Sequence, residues 1–281
     1  MTTYRFSNTL GYTQPQLAEM FNASFSGYYF PMALTAEMSA GFARVYQIDA
    51  NCSVVMHDEQ GAFVGMARMG VRGARGWCGG FGITPEFRGT GASRLLAAQM
   101  IQVARESGLT TLQLEVLTQN IKAIKLYERA GFVAARRLIG IEVDTAALPD
   151  AFPSLQVKAV APATLFPGLY EGYQPDWERE LPSLMTMRAE AVAAAGADGQ
   201  LNGLIFRPGG RGANNEKIQI QAAILQSDLT NADLAALLRA AAGDAAGIQV
   251  YNEPEDSPFL ARCRDLGFTE FFSQHEMFLT L

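Results

Sequence analysis

The chain contains 281 residues, of which 49% are hydrophobic and 18% are charged. This length suits two compact domains of about 140 residues each, and the composition excludes a disordered protein. The net charge of −6 argues against a nucleic-acid partner. No apolar run approaches the ~18 residues of a membrane span, and the first residues lack the apolar stretch of a signal peptide, so we expect a cytoplasmic protein with no membrane partner.

Strands and helices alternate along the first half of the chain. Periodicity and turn residues predict, in order, a strand at 4–10, helices at 15–25 and 35–45, strands at 52–57, 62–71 and 77–83, a helix at 92–107, a strand at 110–117, a helix at 120–130 and a strand at 133–143. An antiparallel meander that leads into a βαβ crossover indicates an α/β (α+β) fold, with a mixed, mostly antiparallel sheet flanked by helices.

The second half repeats this order after a proline-containing linker at 148–153. The patterns predict a strand at 155–160, helical segments at 163–170 and 176–187, strands at 203–206 and 217–225, a helix at 231–242, a strand at 248–252, a helix at 258–266 and a strand at 270–280. Gly131-Phe132 and Gly267-Phe268 both precede a strand and lie 136 positions apart. We therefore predict a tandem duplication, with domains at 1–147 and 148–281.

Cysteines and histidines are few in this sequence. The three cysteines are widely separated, and only two histidines are present. No Cys/His cluster has the spacing of metal ligands, so we expect no metal site. The cysteines are typical of reduced core thiols, although a catalytic role for Cys78 stays open.

A glycine-containing loop precedes the predicted helix at 92–107. It consists of Arg88, Gly89, Thr90, Gly91, Ala92 and Ser93. Glycines let the backbone turn tightly, and the unsatisfied amides and positive dipole end of the helix favour a pyrophosphate, to which Arg88 could add a charge-assisted hydrogen bond. The alternative is a plain turn with a solvated Arg88. No Gly-Lys pair exists for a P-loop, and Arg94 stands where a dinucleotide fingerprint needs its third glycine.

The strand before this loop contains three glycines. Alternation places Trp77, Gly79, Phe81 and Ile83 on one face and Cys78, Gly80 and Gly82 on the other. Glycines in a strand often mark the close approach of a ligand or of another backbone. An extended ligand could therefore pair with the amides of this strand, and a bulged strand is the alternative.

These motifs together resemble a known family. Segment 83–93, segment 112–116, Asn120 and segment 126–132 closely resemble the motifs of the GCN5-related N-acetyltransferases (GNAT) in the correct order. The resemblance implies that acetyl-CoA is the acyl donor. It places the pantetheine arm on Phe81, Gly82 and Ile83, the pyrophosphate on residues 88–93, and Asn120 and Tyr127 beside the cofactor. Ser93 replaces a frequent glycine, which a helix start tolerates.

Two residues are candidates for acid and base catalysis. Glu115 and Tyr127 lie twelve positions apart, as do the base and acid of a GNAT branch that this spacing resembles. Tyr127, with an ordinary pKa near ~10, could protonate a leaving thiolate. Glu115 could act as base, directly or through water. The alternatives are that Tyr127 is a core aromatic and that Glu115 is a solvated carboxylate. Many relatives take their base from the strand before the phosphate loop, and here that strand offers only Cys78 and glycines.

The acceptor and the second half are less specified. Phe25, Tyr28 and Tyr29 could form an aromatic wall for a primary amine of a small molecule or peptide, or they could belong to the core. In the second half, Cys263 and Tyr251 occupy the positions of Tyr127 and Glu115, and the phosphate loop is missing. We therefore predict a degenerate second copy and one cofactor per chain, in a monomer or homodimer. The alternatives are a CoA-binding sensor without catalysis and a scaffold of two packed halves.

Overall fold

A computed structural model of the protein describes residues 3–149, 155–169, 174–196, 199–208, 216–226 and 228–281. Its contacts form two compact units: unit 1 contains Met1–Ala135 and His275–Leu281, and unit 2 contains Arg136–Gln274. Each unit has a mixed sheet with helices, which confirms the predicted fold class. None of the helices in the described part of the chain has the length and apolarity that a membrane crossing requires.

Unit 1 closely follows the predicted order of elements. In chain order these are β1 (Tyr4–Asn8), α1 (Gln14–Ser24), α2 (Ala36–Val45), β2 (Val54–Asp58), β3 (Phe63–Arg72), β4 (Arg75–Ile83), α3 (Ala92–Glu106), β5 (Thr111–Leu117), α4 (Ile121–Arg129) and the start of β6 (Val133–Asp144). Strands β1 to β4 pair antiparallel in sequence order, and β5 pairs parallel with β4.

The two faces of this sheet carry different helices. Along β3, Ala67 and Met69 point into the core that α3 covers, with Leu96 and Met100 of α3 fully buried there. The intervening Arg68 points to the opposite face, where it lies over aromatic rings of α1 and α2. This alternation follows from the two-residue period of a strand.

Unit 2 repeats the architecture with one strand that the sequence did not predict. After β6 its elements are β7 (Lys158–Val160), α5 (Leu181–Thr186), β8 (Glu190–Ala195), β9 (Leu201–Pro208), β10 (Lys217–Ile224), α6 (Asn231–Ala242), β11 (Gly247–Pro254), α7 (Pro258–Asp265) and β12 (Thr269–Thr280). The predicted helical segments are shorter, with 3-10 turns at Pro162–Gly168 and Trp177–Arg179 before α5. Residues 150–153 of the linker and Tyr170 lie outside the described residues.

Part of the last strand of each sequence half belongs to the unit of the other half. Strands β6 and β12 are 136 positions apart at both ends. Most of β6 pairs with β11 and places Ile139 and Ile141 in the core of unit 2. The end of β12 lies beside β5 and places Met277 and Leu279 in the core of unit 1. The domains 1–147 and 148–281 follow the sequence repeat, whereas the compact units divide the chain elsewhere.

Candidate functional site

Strand β4 contains a bulge that changes which side chains share a face. Arg68 of β3 faces Gly80, but Met69 faces Cys78, so Gly79 is an extra residue in β4. Trp77 consequently lies against Phe42 of α2, with 6.0 Å between ring centroids. Ile83 lies in the core that α3 covers, and Phe81 packs against that core. The predicted shared face of Trp77, Phe81 and Ile83 was wrong, because the bulge reverses the alternation.

The C-terminal end of α1 explains two of the glycines in β4. A Cβ atom on Gly80 would lie 3.3 Å from the Phe21 ring, and one on Gly82 would lie 2.6 Å from the Ser24 Cβ and 3.0 Å from the Ser24 carbonyl oxygen. Another backbone therefore does approach this strand closely. Close approach of a ligand or of another backbone was one of the two explanations that the sequence offered for these glycines.

Strands β4 and β5 pair over only a short stretch. Their parallel register joins Arg75, Gly76 and Trp77 to residues 111–113, and no further pair occurs among the described residues. Beyond Trp77, β4 continues to pair with β3 as far as Ile83. The β5 side of the C-terminal part of β4 is therefore outside the sheet's ladder of hydrogen bonds.

The glycine loop leads directly into α3. Gly89 and Gly91 have φ angles of 81° and 94°, a region that disfavours residues with a side chain. The Thr90 hydroxyl donates to the Phe87 carbonyl at 2.7 Å and fixes the turn. Helix α3 then begins at Ala92, and no side chain of the described residues caps its first amides. A helix of this length offers its N-terminal amides and dipole to an anion.

Hydrogen bonds from Arg88 connect the glycine loop to the end of α1. Its guanidinium donates to three backbone carbonyl oxygens, those of Ile83 at 2.9 Å, Ser24 at 3.1 Å and Ser26 at 2.7 Å. The Ser24 carbonyl lies at the end of α1, where a helix leaves its carbonyls without intrahelical partners. Arg88 is therefore not merely solvated, and its observed partners are carbonyl groups that the sequence did not indicate.

Tyr127 lies in an apolar environment on α4. The ring is 6% exposed and packs edge-on against Phe81 and Phe132, each with a centroid distance of 5.8 Å. Burial raises the Tyr127 pKa well above its usual value, so the hydroxyl keeps its proton at neutral pH. Asn120 caps the same helix by accepting from the Ala123 amide at 3.2 Å.

Glu115 and Tyr127 both lie near Cys78. The Trp77 indole N–H donates to Glu115 Oε2 at 2.7 Å, which holds the carboxylate beside β4. Burial raises the Cys78 pKa to about 12, and the nearby Glu115 charge also raises it. Cys78 in turn interacts electrostatically with Tyr127. Cys78 is therefore a protonated thiol at neutral pH, which argues against a role as nucleophile.

The aromatic residues after α1 reach the start of α4. Phe25 contacts Tyr28 edge-on at 5.2 Å between centroids, and Tyr28 contacts Tyr29 at 5.3 Å. The Tyr28 side chain hydrogen-bonds to Asn120 and interacts electrostatically with Tyr127; burial raises the Tyr28 pKa. Tyr29 is 51% exposed and directs its hydroxyl to the Gln119 carbonyl at 3.5 Å. The structure thus brings Tyr28 beside Asn120 and Tyr127, whereas Tyr29 reaches Gln119 and Phe25 contacts Tyr28.

The corresponding helix of unit 2 has a different start. At α6, the Thr230 hydroxyl accepts from the Asp233 amide at 3.1 Å, and the Asp233 carboxylate accepts from the Thr230 amide at 3.3 Å. This capping box uses amides that would face an anion, and it places a negative charge there. Cys263 occupies the position of Tyr127, where burial raises its pKa well above the usual value.

The first half of the sequence matches a described family. Residues 15–132 match the Acetyltransferase (GNAT) family. The N-terminal half is a GNAT domain. The match covers the glycine loop, Glu115 and Tyr127, and it ends at the Gly-Phe pair before β6. No curated protein matches the sequence significantly. Within the described residues, no group of three His, Cys, Asp or Glu side chains is arranged to hold a metal.

Solved structures similar to the chain extend over both halves. A GCN5-related N-acetyltransferase from Sphaerobacter thermophilus has a TM-score of 0.73 and 14% identity, covering 99% of this chain and 95% of that one. A tandem GNAT protein from the clavulanic acid biosynthesis pathway has a TM-score of 0.68 and 14% identity, covering 100% and 98%. A GCN5-related N-acetyltransferase from Anabaena variabilis has a TM-score of 0.61 and 15% identity, covering 98% and 72%. The chain has the fold of tandem GNAT proteins.

Proposed function

We propose that the chain is a cytoplasmic, acetyl-CoA-dependent N-acetyltransferase whose unit 1 transfers the acetyl group to a primary amine of a small molecule or peptide. The observation that carries this proposal is the start of α3, where Gly89 and Gly91 turn the backbone and no described side chain caps the first amides. These amides suit the pyrophosphate of CoA. In unit 2 the capping box at Thr230 disfavours an anion, which supports one donor site per chain.

The proposed donor site extends from this loop along β4. Gly89, Thr90, Gly91, Ala92 and Ser93 would hold the pyrophosphate, and the amides of Phe81, Gly82 and Ile83 would hold the pantetheine arm. The short pairing of β4 with β5 supports this second part, because it leaves the β5 side of β4 outside the ladder. Asn120 and Tyr127 would line the other side of the arm. Arg88 would act mainly by fixing the loop to α1, through its three carbonyl contacts.

Acetyl-CoA would supply an acetyl thioester, and the residues of unit 1 would move the protons. The amine nitrogen would form a bond to the acetyl carbon, and the carbon–sulfur bond would break. Glu115, oriented by the Trp77 N–H, would take the amine proton directly or through a water molecule. Tyr127 would give its hydroxyl proton to the departing sulfur. Burial holds Tyr127 in its protonated form at neutral pH, which a proton donor requires, and it also makes Tyr127 a weaker acid toward the thiolate.

The donor site can be tested by a change of charge at one position. Ser93→Asp places a carboxylate at the start of α3, which favours the helix dipole but repels a pyrophosphate. We expect acetyl-CoA to bind at least tenfold more weakly to this variant in calorimetry, while its thermal stability is equal to or slightly above that of the wild type. Ser93→Asn is the matched control, since it has nearly the same shape without the charge. Equal affinity of the two variants would place the phosphates elsewhere.

Catalysis is tested separately from binding. An amine panel assayed by CoA release should show acetylation by the wild type and a large loss in Tyr127→Phe and Glu115→Gln, while both variants still bind acetyl-CoA. Full activity in both would refute the assigned roles and leave the donor site standing. Binding of acetyl-CoA without acetylation of any amine would favour the CoA-binding sensor. Absence of binding would favour the scaffold.

A further inference from the structure

Arg68 is a buried cation within unit 1. It lies on β3, and its side chain is covered by α1 and α2, so that the residue is only 4% exposed. The guanidinium carbon is 5.4 Å from the centroid of the Phe21 ring and 4.2 Å from that of Phe42. Cation–π contacts with two rings compensate part of the cost of burying a charge, but they supply neither a hydrogen-bond acceptor nor a negative charge.

The polar contacts of Arg68 are incomplete among the described residues. Nη1 is buried and has no hydrogen-bond acceptor in this part of the chain, and no described carboxylate forms an ion pair with the guanidinium. Burial is also the cause that lowers the Arg68 pKa, to about 10, which still leaves the side chain charged at neutral pH. Buried charges in proteins are ordinarily paired, because desolvating an unpaired ion is costly.

A cavity adjoins this side chain. Its volume is about 20 Å³, enough for one species of the size of water or a halide ion. Its lining combines Arg68 with the polar residues Thr9, Gln14, Ser39 and Ser53. The Thr9 and Ser53 hydroxyls donate to the carbonyls of Ala50 and Asp49. Gln14 Oε1 is buried and, like Arg68 Nη1, has no partner among the described residues.

The orientation of the Gln14 side-chain amide determines how many hydrogen-bond donors face the cavity. The Gln14 amide oxygen makes no hydrogen bond among the described residues, so rotation about the terminal torsion of the side chain breaks none there. With the amide rotated by 180°, its NH₂ group would stand where the oxygen does. The cavity would then have donors from Arg68, Gln14 and the Ser39 hydroxyl around one small volume. That arrangement, next to a charge without a counter-ion, suits an anion better than a neutral molecule.

We propose that this cavity is a binding site for one small monovalent anionic group, held by Arg68 with Gln14 and Ser39. A free halide ion such as chloride has this charge and fits the volume of the cavity.

Anion binding is tested on the full chain with halides. Crystals soaked in bromide should show an anomalous peak within about 3.5 Å of Arg68 Nη1. The melting temperature should rise by about 3–5 °C with chloride at ten times its Kd, relative to sodium gluconate of equal ionic strength. Arg68→Met should abolish this difference, and Arg105→Met, the same change at an exposed site, should preserve it.

The proposal is refuted if the cavity beside Arg68 holds only a water molecule. It would appear as no anomalous peak at Arg68 and equal melting temperatures in chloride and gluconate. If Arg68→Met does not fold, the bromide peak and the gluconate comparison on the wild type still decide the question. Both measurements are independent of acetyl transfer, so failure of the proposed function would leave their result intact.

Discussion

Replacing Gly82 with alanine should destabilise unit 1. The added methyl group would lie 2.6 Å from the Ser24 Cβ, 3.0 Å from the Ser24 carbonyl oxygen and 3.2 Å from its carbonyl carbon. Two of these three atoms belong to the backbone at the end of α1, so a change of rotamer cannot relieve the contact. Helix α1 must move away from β4, and the Arg88 hydrogen bond to the Ser24 carbonyl moves with it.

The expected magnitude combines two opposing effects. Overpacking of a buried site typically costs about 1–3 kcal/mol. Alanine also restricts the unfolded chain, which returns up to about 1 kcal/mol where the folded backbone accepts it. The net loss should therefore be about 1–2 kcal/mol. With a urea m-value of about 2 kcal/mol/M, the unfolding midpoint of unit 1 should fall by about 0.5–1 M.

Gly41 provides a matched control. It lies within α2, and a Cβ added there meets nothing within 4 Å. Gly41→Ala should raise the stability by about 0.5–1 kcal/mol, because alanine favours a helix. Urea unfolding is followed by Trp77 fluorescence in a Trp177→Phe background, since the chain has two tryptophans, one in each unit. If Gly82→Ala is as stable as the wild type but no longer binds acetyl-CoA, a ligand and not α1 requires this glycine.

Three further predictions concern single side chains. Met277→Ala should destabilise unit 1 and Ile139→Ala should destabilise unit 2, each by about 2–5 kcal/mol. Urea unfolding followed by the tryptophan of each unit measures both effects. Destabilisation of unit 2 by Met277→Ala and of unit 1 by Ile139→Ala would contradict the exchange of last strands. Cys78 should resist iodoacetamide in the folded protein at about pH 8, as measured by mass spectrometry, because burial raises its pKa to about 12; rapid labelling would show an accessible thiolate. The folded-state pKa of Tyr127 is raised above the unfolded value near ~10. Its contribution to the free energy of unfolding is therefore complete below that value and is lost as the pH rises through the folded pKa. Urea unfolding at several pH values should show a smaller loss of stability at alkaline pH in Tyr127→Phe than in the wild type, and an equal loss would refute the raised pKa.

The sequence predicted local features of the site better than their contacts. Periodicity and glycine placement were enough to predict α3, its loop and the strand before it, because each depends on neighbouring residues. The bulge at Gly79 was only one of two interpretations, since a run of glycines does not state where an extra residue lies. The Arg88 contact with Ser24 joins residues 64 positions apart, and no spacing rule predicts such a pair.

The missed strand β8 shows a different limit. Its sequence contains four alanines, which favour helices when considered alone. In unit 2 it pairs with β7 on one side and β9 on the other, and Val192 and Ala194 join the core. Strand formation there is decided by neighbouring strands, whose positions a single-sequence pattern does not contain.

The exchange of last strands gives the second half a role that does not require catalysis. A sequence repeat predicts which strands correspond, and β6 and β12 do correspond at both ends. It does not predict which unit receives each part of these strands, because both strands follow the same Gly-Phe turn. Because Met277 and Leu279 complete the core of unit 1, that unit depends on the end of the chain. A second half without a phosphate loop would then be retained to supply that strand, even if it binds no ligand of its own.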